Sequence, residues 1–210
     1  MKRSRVLILL FILVCVGTVF GQTRPEIALT VNEQFLDAAL ESVFAKGEPP
    51  SVALRAQAAD TECKESITLL REINGVKSTV RFRDGRIVVP LAFRGSYRPP
   101  FIGCVDFSGT AEAVVEPEFD AQRQRVVAKS RLTNVSLTGS GGVGSSLLAR
   151  LMQTSVDQKV NPIELIRLER LSFLFPIQST GSLRLNAVGF RYTVQNGSIT
   201  FFIPYEFVRL

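Results

Sequence analysis

The strongest rhythm along the chain has a period of two. Val105, Phe107, Gly109, Ala111, Ala113, Val115 and Phe119 fall on one side of a stretch whose other side carries Asp106, Ser108, Thr110, Glu112, Glu116 and Glu118. Such alternation predicts a long strand with one wet face. Upstream, Val80 and Phe82, then Ile87, Val89, Leu91 and Phe93, alternate around Asp84-Gly85, a pair suited to a two-residue type I′ hairpin loop. A second hairpin is predicted from Leu183 to Val194 and from Ile199 to Phe207, turning at Asn196-Gly197. The two hairpins overlay turn on turn, a likeness that alternation and a turn glycine produce without an internal repeat. From Arg125 to Leu137 the pattern slips between Leu132 and Val135, which predicts a bulge.

Two stretches have helical period instead. Val31, Phe35, Leu36, Ala39, Leu40, Val43 and Phe44 predict an amphipathic helix over about 31–45, with Thr30 and Glu33 at capping-box spacing and Gly47-Glu-Pro-Pro50 as its stop. Leu147, Leu148, Leu151, Met152, Val156 and Val160 predict a second helix over about 145–160, ended by Asn161-Pro162. The run from Ile163 to Ile177 reads as a short helix followed by a strand near Ser172 to Ile177.

Ahead of the second helix, Gly139, Gly141 and Gly144 have the G-x-G-x-x-G spacing of a dinucleotide loop. Its context argues against nucleotide binding. Dinucleotide folds use parallel strands buried on both faces, whereas these strands alternate. Glu164 lies at about the distance of the ribose-binding acid but directly follows Asn161-Pro162, and no lysine follows the glycines to make a Walker loop. The segment reads as a strand-to-helix connection with Ser145 or Ser146 as N-cap.

The first 21 residues change the picture of charge and destination. Lys2, Arg3 and Arg5, the apolar run Val6–Val16 and Val19-Phe20-Gly21 form a secretory leader, and the expected mature product is a single domain over 22–210. Losing those three cations lowers the net charge from +6 to +3. The remaining charges are dispersed, so no nucleic-acid footprint is present, and a transient contact with an anionic membrane surface is all that charge supports. Export predicts a periplasmic or extracellular location. In that setting Cys63 and Cys104 are either a disulfide or two buried thiols.

The chain has no histidine. Ser-His and Cys-His catalysis, and the commonest catalytic zinc ligand, are therefore unavailable to it. Glu112, Glu116, Glu118 and Asp120 are the one acidic cluster, and Glu112, Glu116 and Glu118 share the wet side of the long strand. We expect no enzyme, no metal and no cofactor.

The helix Leu29-Thr-Val-Asn-Glu-Gln-Phe-Leu-Asp-Ala-Ala-Leu40, the helix Ser145-Ser-Leu-Leu-Ala-Arg-Leu-Met152 and the hairpin Ala187-Val-Gly-Phe-Arg-Tyr-Thr-Val-Gln-Asn-Gly-Ser-Ile-Thr-Phe201 resemble, in order and pattern, the tubular lipid-binding (TULIP) superfamily, especially its small single-unit envelope proteins. The resemblance implies an α+β fold, a strongly curved antiparallel sheet wrapped around a long helix, with an N-terminal amphipathic helix and an apolar tunnel. By alternation the lining would be Val80, Phe82, Ile87, Val89, Leu91, Phe93, Val105, Phe107, Phe190, Tyr192, Ile199 and Phe201, with Leu147, Leu148, Leu151 and Met152 from the helix. The expected function is non-enzymatic binding or shuttling of a phospholipid, fatty acid or isoprenoid. The alternative is a structural or adaptor protein of the cell envelope with a packed core, docking a partner through an edge strand or the Arg94–Pro100 segment.

Overall fold

Strands form where alternating side chains find a neighbour to complete the backbone ladder, and most of this chain satisfies that condition. The computed structural model describes residues 24–45, 47–54, 63–99, 101, 103–138, 145–177 and 181–210. The leader and the glycine segment 139–144 lie outside the described residues. In chain order the elements are β1 (Glu26–Asn32), α1 (Glu33–Ala45), β2 (Ser51–Ala53), β3 (Ser66–Leu70), β4 (Glu72–Ile73), β5 (Val76–Lys77), β6 (Arg81–Arg83), β7 (Arg86–Tyr97), β8 (Val105–Asp120) and β9 (Arg125–Thr138). Then come α2 (Ser145–Lys159), β10 (Ile163–Arg167), a 3-10 turn (Leu168–Leu171), β11 (Phe173–Ile177), β12 (Gly181–Ala187), β13 (Arg191–Gln195) and β14 (Ser198–Arg209).

Two antiparallel sheets carry the fold. The larger has the order β10-β9-β8-β7-β3-β2, with β6 also paired to β7; the smaller has the order β1-β14-β12-β11, with β13 also on β14. β4 and β5 form a separate small hairpin. Asp84 and Gly85 both take positive φ, 52° and 72°, as a type I′ turn requires. The predicted slip in β9 is a bulge: Thr110 pairs with Ser136 and Glu112 with Thr133, so Asn134 and Val135 together oppose Ala111.

The inner face of the larger sheet has two covers. α2 lies over the part holding Phe93, Phe107 and Ala111, packing Leu148 and Met152 against them. The smaller sheet covers the rest, through Phe82, Ile87 and Ile199 in one cluster and Val126, Leu185, Ile203 and Tyr205 in another.

This architecture corrects the expected fold class. The chain is mainly β, and among the described residues no long helix is wrapped by a sheet. The helices have 13 and 15 residues, and α1 buries none of its own. The physical reason is that antiparallel β14 offers a partner edge to β1, so the inner face is closed by a second sheet as well as by a helix. Two local expectations change with it. Ile27, Leu29 and Val31 alternate and pair with β14, so α1 starts at Glu33, not Val31. Its cap is Asn32, whose Oδ1 accepts the Phe35 N–H at 2.9 Å, while Glu33 turns away and accepts the Phe82 N–H at 2.7 Å. The short helix expected from Ile163 is instead β10, held by the edge of β9.

Cys63 and Cys104 form a disulfide with Cα atoms 5.6 Å apart, tying the approach to β3 to the approach to β8. That bond accords with an oxidising, exported location.

Candidate functional site

Helix α2 builds the site. Leu148, Met152 and Ser155 recur at helical spacing and are almost fully buried, at 0 %, 2 % and 2 % exposure. A serine there requires a partner, and its Oγ donates to the Leu54 carbonyl at 2.8 Å. Lys159 Nζ donates to the neighbouring Ala53 carbonyl at 2.7 Å, so β2 and Leu54 are pinned along one flank of the helix.

The other flank seals the edge of β9. β10 pairs with β9 only as far as Ala128, and beyond it the β9 backbone would be left open. Asn161 closes the gap by accepting the Ser130 N–H at 2.8 Å and donating to the Ser130 carbonyl at 2.7 Å. Gln153 Oε1 accepts the Leu132 N–H at 2.8 Å. Asp157 steadies both amides, at 2.8 Å from Gln153 Nε2 and 3.1 Å from Asn161 Nδ2. Side chains from the helix and from Asn161 just beyond its end thus stand in for a missing strand.

Between these flanks the helix does not fill the curve of the sheet. A cavity of about 170 Å³ remains, lined almost wholly by apolar groups from β2, β3, β7, β8, β9 and α2. Buried Phe93 and Met152 form part of its wall, and Val52, Val156 and Val160 are among its half-buried lining residues. Phe93 is braced edge-on by Phe107, with ring centroids 6.3 Å apart, and Phe107 by Tyr97 at 5.8 Å. Gly95 permits this packing, because a Cβ there would strike the Ser66 carbonyl and the Phe107 ring.

The residues expected to line one tunnel are distributed over three clusters. Leu91, Phe93 and Met152 reach the cavity. Val105, Phe107 and Leu148 pack in the cluster beside it. Val80, Phe82, Ile87, Tyr192, Ile199 and Phe201 meet beneath the smaller sheet, and Phe190 belongs to the cluster around Val126 and Tyr205. Val89 and Leu151 are half-buried, and Leu147 is 49 % exposed. Sequence reasoning missed Val52, Ile67, Leu69, Ala111, Ser130, Leu132, Ser155, Val156 and Val160 as lining residues. Ala111 and Leu132 were legible as inward positions. The short strands β2 and β3 carried too few residues for a period to be read.

Among the described residues no titrating side chain lines the cavity. The shifted groups lie elsewhere. A backbone N–H from Arg123 and the Arg125 guanidinium hold Asp120 below the usual carboxylate range, against a smaller opposing effect of burial. Hydrogen bonds from Arg125 and Arg167 do the same for Glu164. Arg125 bridges the two acids, 3.1 Å from Asp120 and 2.9 Å from Glu164, and so straps β8, β9 and β10 together. Burial raises the Tyr205 phenol, which donates to the Leu171 carbonyl at 2.9 Å. Glu112, Glu116 and Glu118 lie on the outer side of β8, where Glu118 pairs with Lys129 at 2.8 Å. Among the described residues no group of three His, Cys, Asp or Glu side chains is placed to hold a metal ion.

No protein-family profile matches the chain, and no curated protein matches it either.

Proposed function

We propose that the protein binds a small apolar ligand, or one end of a single hydrocarbon chain, in the cavity beneath α2, without catalysing a reaction. The supporting observation is the cavity itself: about 170 Å³, apolar and bordered by partly exposed valines. The cavity is partly open, so its apolar walls are reached by solvent. A guest that fills it takes that apolar surface out of water, at about 25 cal/mol per Å². Apolar cavities of about 150 Å³ accept benzene-sized molecules. The ligand class is therefore a fatty-acid tail or an isoprenyl unit, with the rest of the molecule outside. A compartment beyond the cytoplasmic membrane, reached after leader cleavage, fits this reading and the disulfide.

The second reading is an envelope adaptor with a packed core and no ligand. It is favoured by the same volume, which is below the roughly 300–1,000 Å³ of ordinary ligand pockets.

Uptake of a fluorescent fatty acid, together with native mass spectrometry of gently purified protein, separates the two. Val156→Phe, which fills the cavity from α2, should abolish uptake and raise the melting temperature. Absence of both uptake and co-purifying lipid in the parent protein would remove the ligand reading and leave the adaptor.

A further inference from the structure

The smaller sheet ends in a tip that the core does not cover. Along β12 burial fades from Ala187 to Gly181, and along β14 from Tyr205 to Arg209, while every residue of β11 is exposed. The tip is apolar despite that exposure. Phe175 is 53 % exposed, Leu174 54 %, Phe207 52 % and Val208 42 %.

Register shows how these side chains are arranged. Phe173, Leu185 and Phe207 form one cross-strand row, and Phe175, Leu183 and Arg209 the next row on the same face. Leu174, Arg184 and Val208 form a row on the opposite face. Exposed apolar side chains therefore stand on both faces of the same three strands. A flat protein surface could cover one face and would leave the other in water.

Cations are interleaved with this apolar surface. Arg184 lies between Leu174 and Val208, and Arg170 is exposed on the 3-10 turn leading into β11. Neither has an ion-pair partner among the described residues. Arg209 adds a third guanidinium that is already engaged within the protein. The nearby acids are Glu169, beside Arg184 in the groove along Phe173, and Glu206, which Arg24 neutralises at 3.1 Å. Among the described residues no strand pairs with the outer edge of β11, so its outward N–H and C=O groups need water or lipid headgroups.

We infer that this tip, through Phe175, Leu174, Phe207 and Val208 with Arg170 and Arg184, docks the protein on an anionic lipid bilayer. Immersion covers both faces at once, and the arginines meet phosphates. The open edge limits insertion to the interface, roughly 5–10 Å deep. The inference goes beyond the cavity reading and uses none of the cavity's residues.

Flotation of the full chain with phosphatidylcholine vesicles, alone or mixed with phosphatidylglycerol, tests it. Binding should be strong only to the anionic vesicles and should weaken with salt. Phe175→Glu with Phe207→Glu should abolish it. Arg170→Gln with Arg184→Gln should weaken it on the order of 25-fold, at about 1 kcal/mol per arginine near such a surface. The chain contains no tryptophan. Phe175→Trp therefore supplies a single reporter whose emission should shift to the blue on vesicle addition, even if the charged variants fold poorly. Val156→Phe should still bind vesicles, which separates this surface from the cavity. Absence of vesicle binding, binding indifferent to both double variants, a reporter that stays in water, or patch-dependent self-association without vesicle binding would each overturn the inference.

Discussion

Asn196 Oδ1 accepts the backbone N–H of Asp84 at 3.2 Å, joining two hairpin turns that lie 112 residues apart in sequence. Beside it the Gly197 N–H donates to the Phe82 carbonyl at 3.0 Å, and the Gly197 carbonyl accepts the Glu33 N–H at 3.2 Å. Both turns and the start of α1 therefore meet at one junction, with Phe82, Ile87 and Ile199 packed beneath it.

That junction is unequal in its parts. Asn196 and Asp84 are exposed, so Asn196→Ala should cost about 0.5–1.5 kcal/mol, the net value of one hydrogen bond. Glu33 is half-buried, and Glu33→Ala leaves the Phe82 N–H without its partner. Its cost should be larger, about 1–3 kcal/mol. Urea unfolding of the two variants measures the difference, and equal losses would contradict the assignment.

At the β9 edge, one amide replaces a strand. Asn161→Leu removes both bonds to Ser130 without removing bulk, and should destabilise by about 2–3 kcal/mol. Hydrogen exchange should report the same event locally, with faster exchange at the Ser130 amide and little change on β8. Uniform loss of protection across the sheet would mean that Asn161 supports the fold in some other way.

The disulfide closes a loop across a sequence separation of 41. Chain-entropy scaling gives it about 4 kcal/mol. Replacing both cysteines by serine should lower the unfolding free energy by about that amount, and a reducing agent should do the same to the parent protein. A loss well under 1 kcal/mol would show that the reduced unfolded chain is already constrained.

Acid should loosen the strap across β8, β9 and β10. Asp120 and Glu164 titrate below their ordinary values in the folded protein. Their contribution is complete above the ordinary carboxylate range and disappears as pH falls through the lowered values. Glu164→Gln should therefore reduce stability at neutral pH and flatten the acid limb of a melting-temperature profile. An unchanged acid limb would show that the strap does not govern acid unfolding.

Much of the fold was written in local pattern. The alternation of β8, the Asp84-Gly85 turn, the bulge opposite Ala111 and the apolar stripe of α2 each follow from backbone geometry within a few residues. Which side of β7 and β8 faces inward was therefore legible. The strands β1 and β10 were not, because Ile27–Val31 and Ile163–Arg167 are too short for their period to outweigh a helix and gain their hydrogen bonds from β14 and β9. Nor could periodicity say what covers an inward face. Phe93 and Phe82 have the same alternation, yet one meets a helix and the other a second sheet. The side-chain period reports only the direction of burial. The covering partner, and the gap it leaves beneath α2, depend on contacts between distant segments that tertiary structure alone decides.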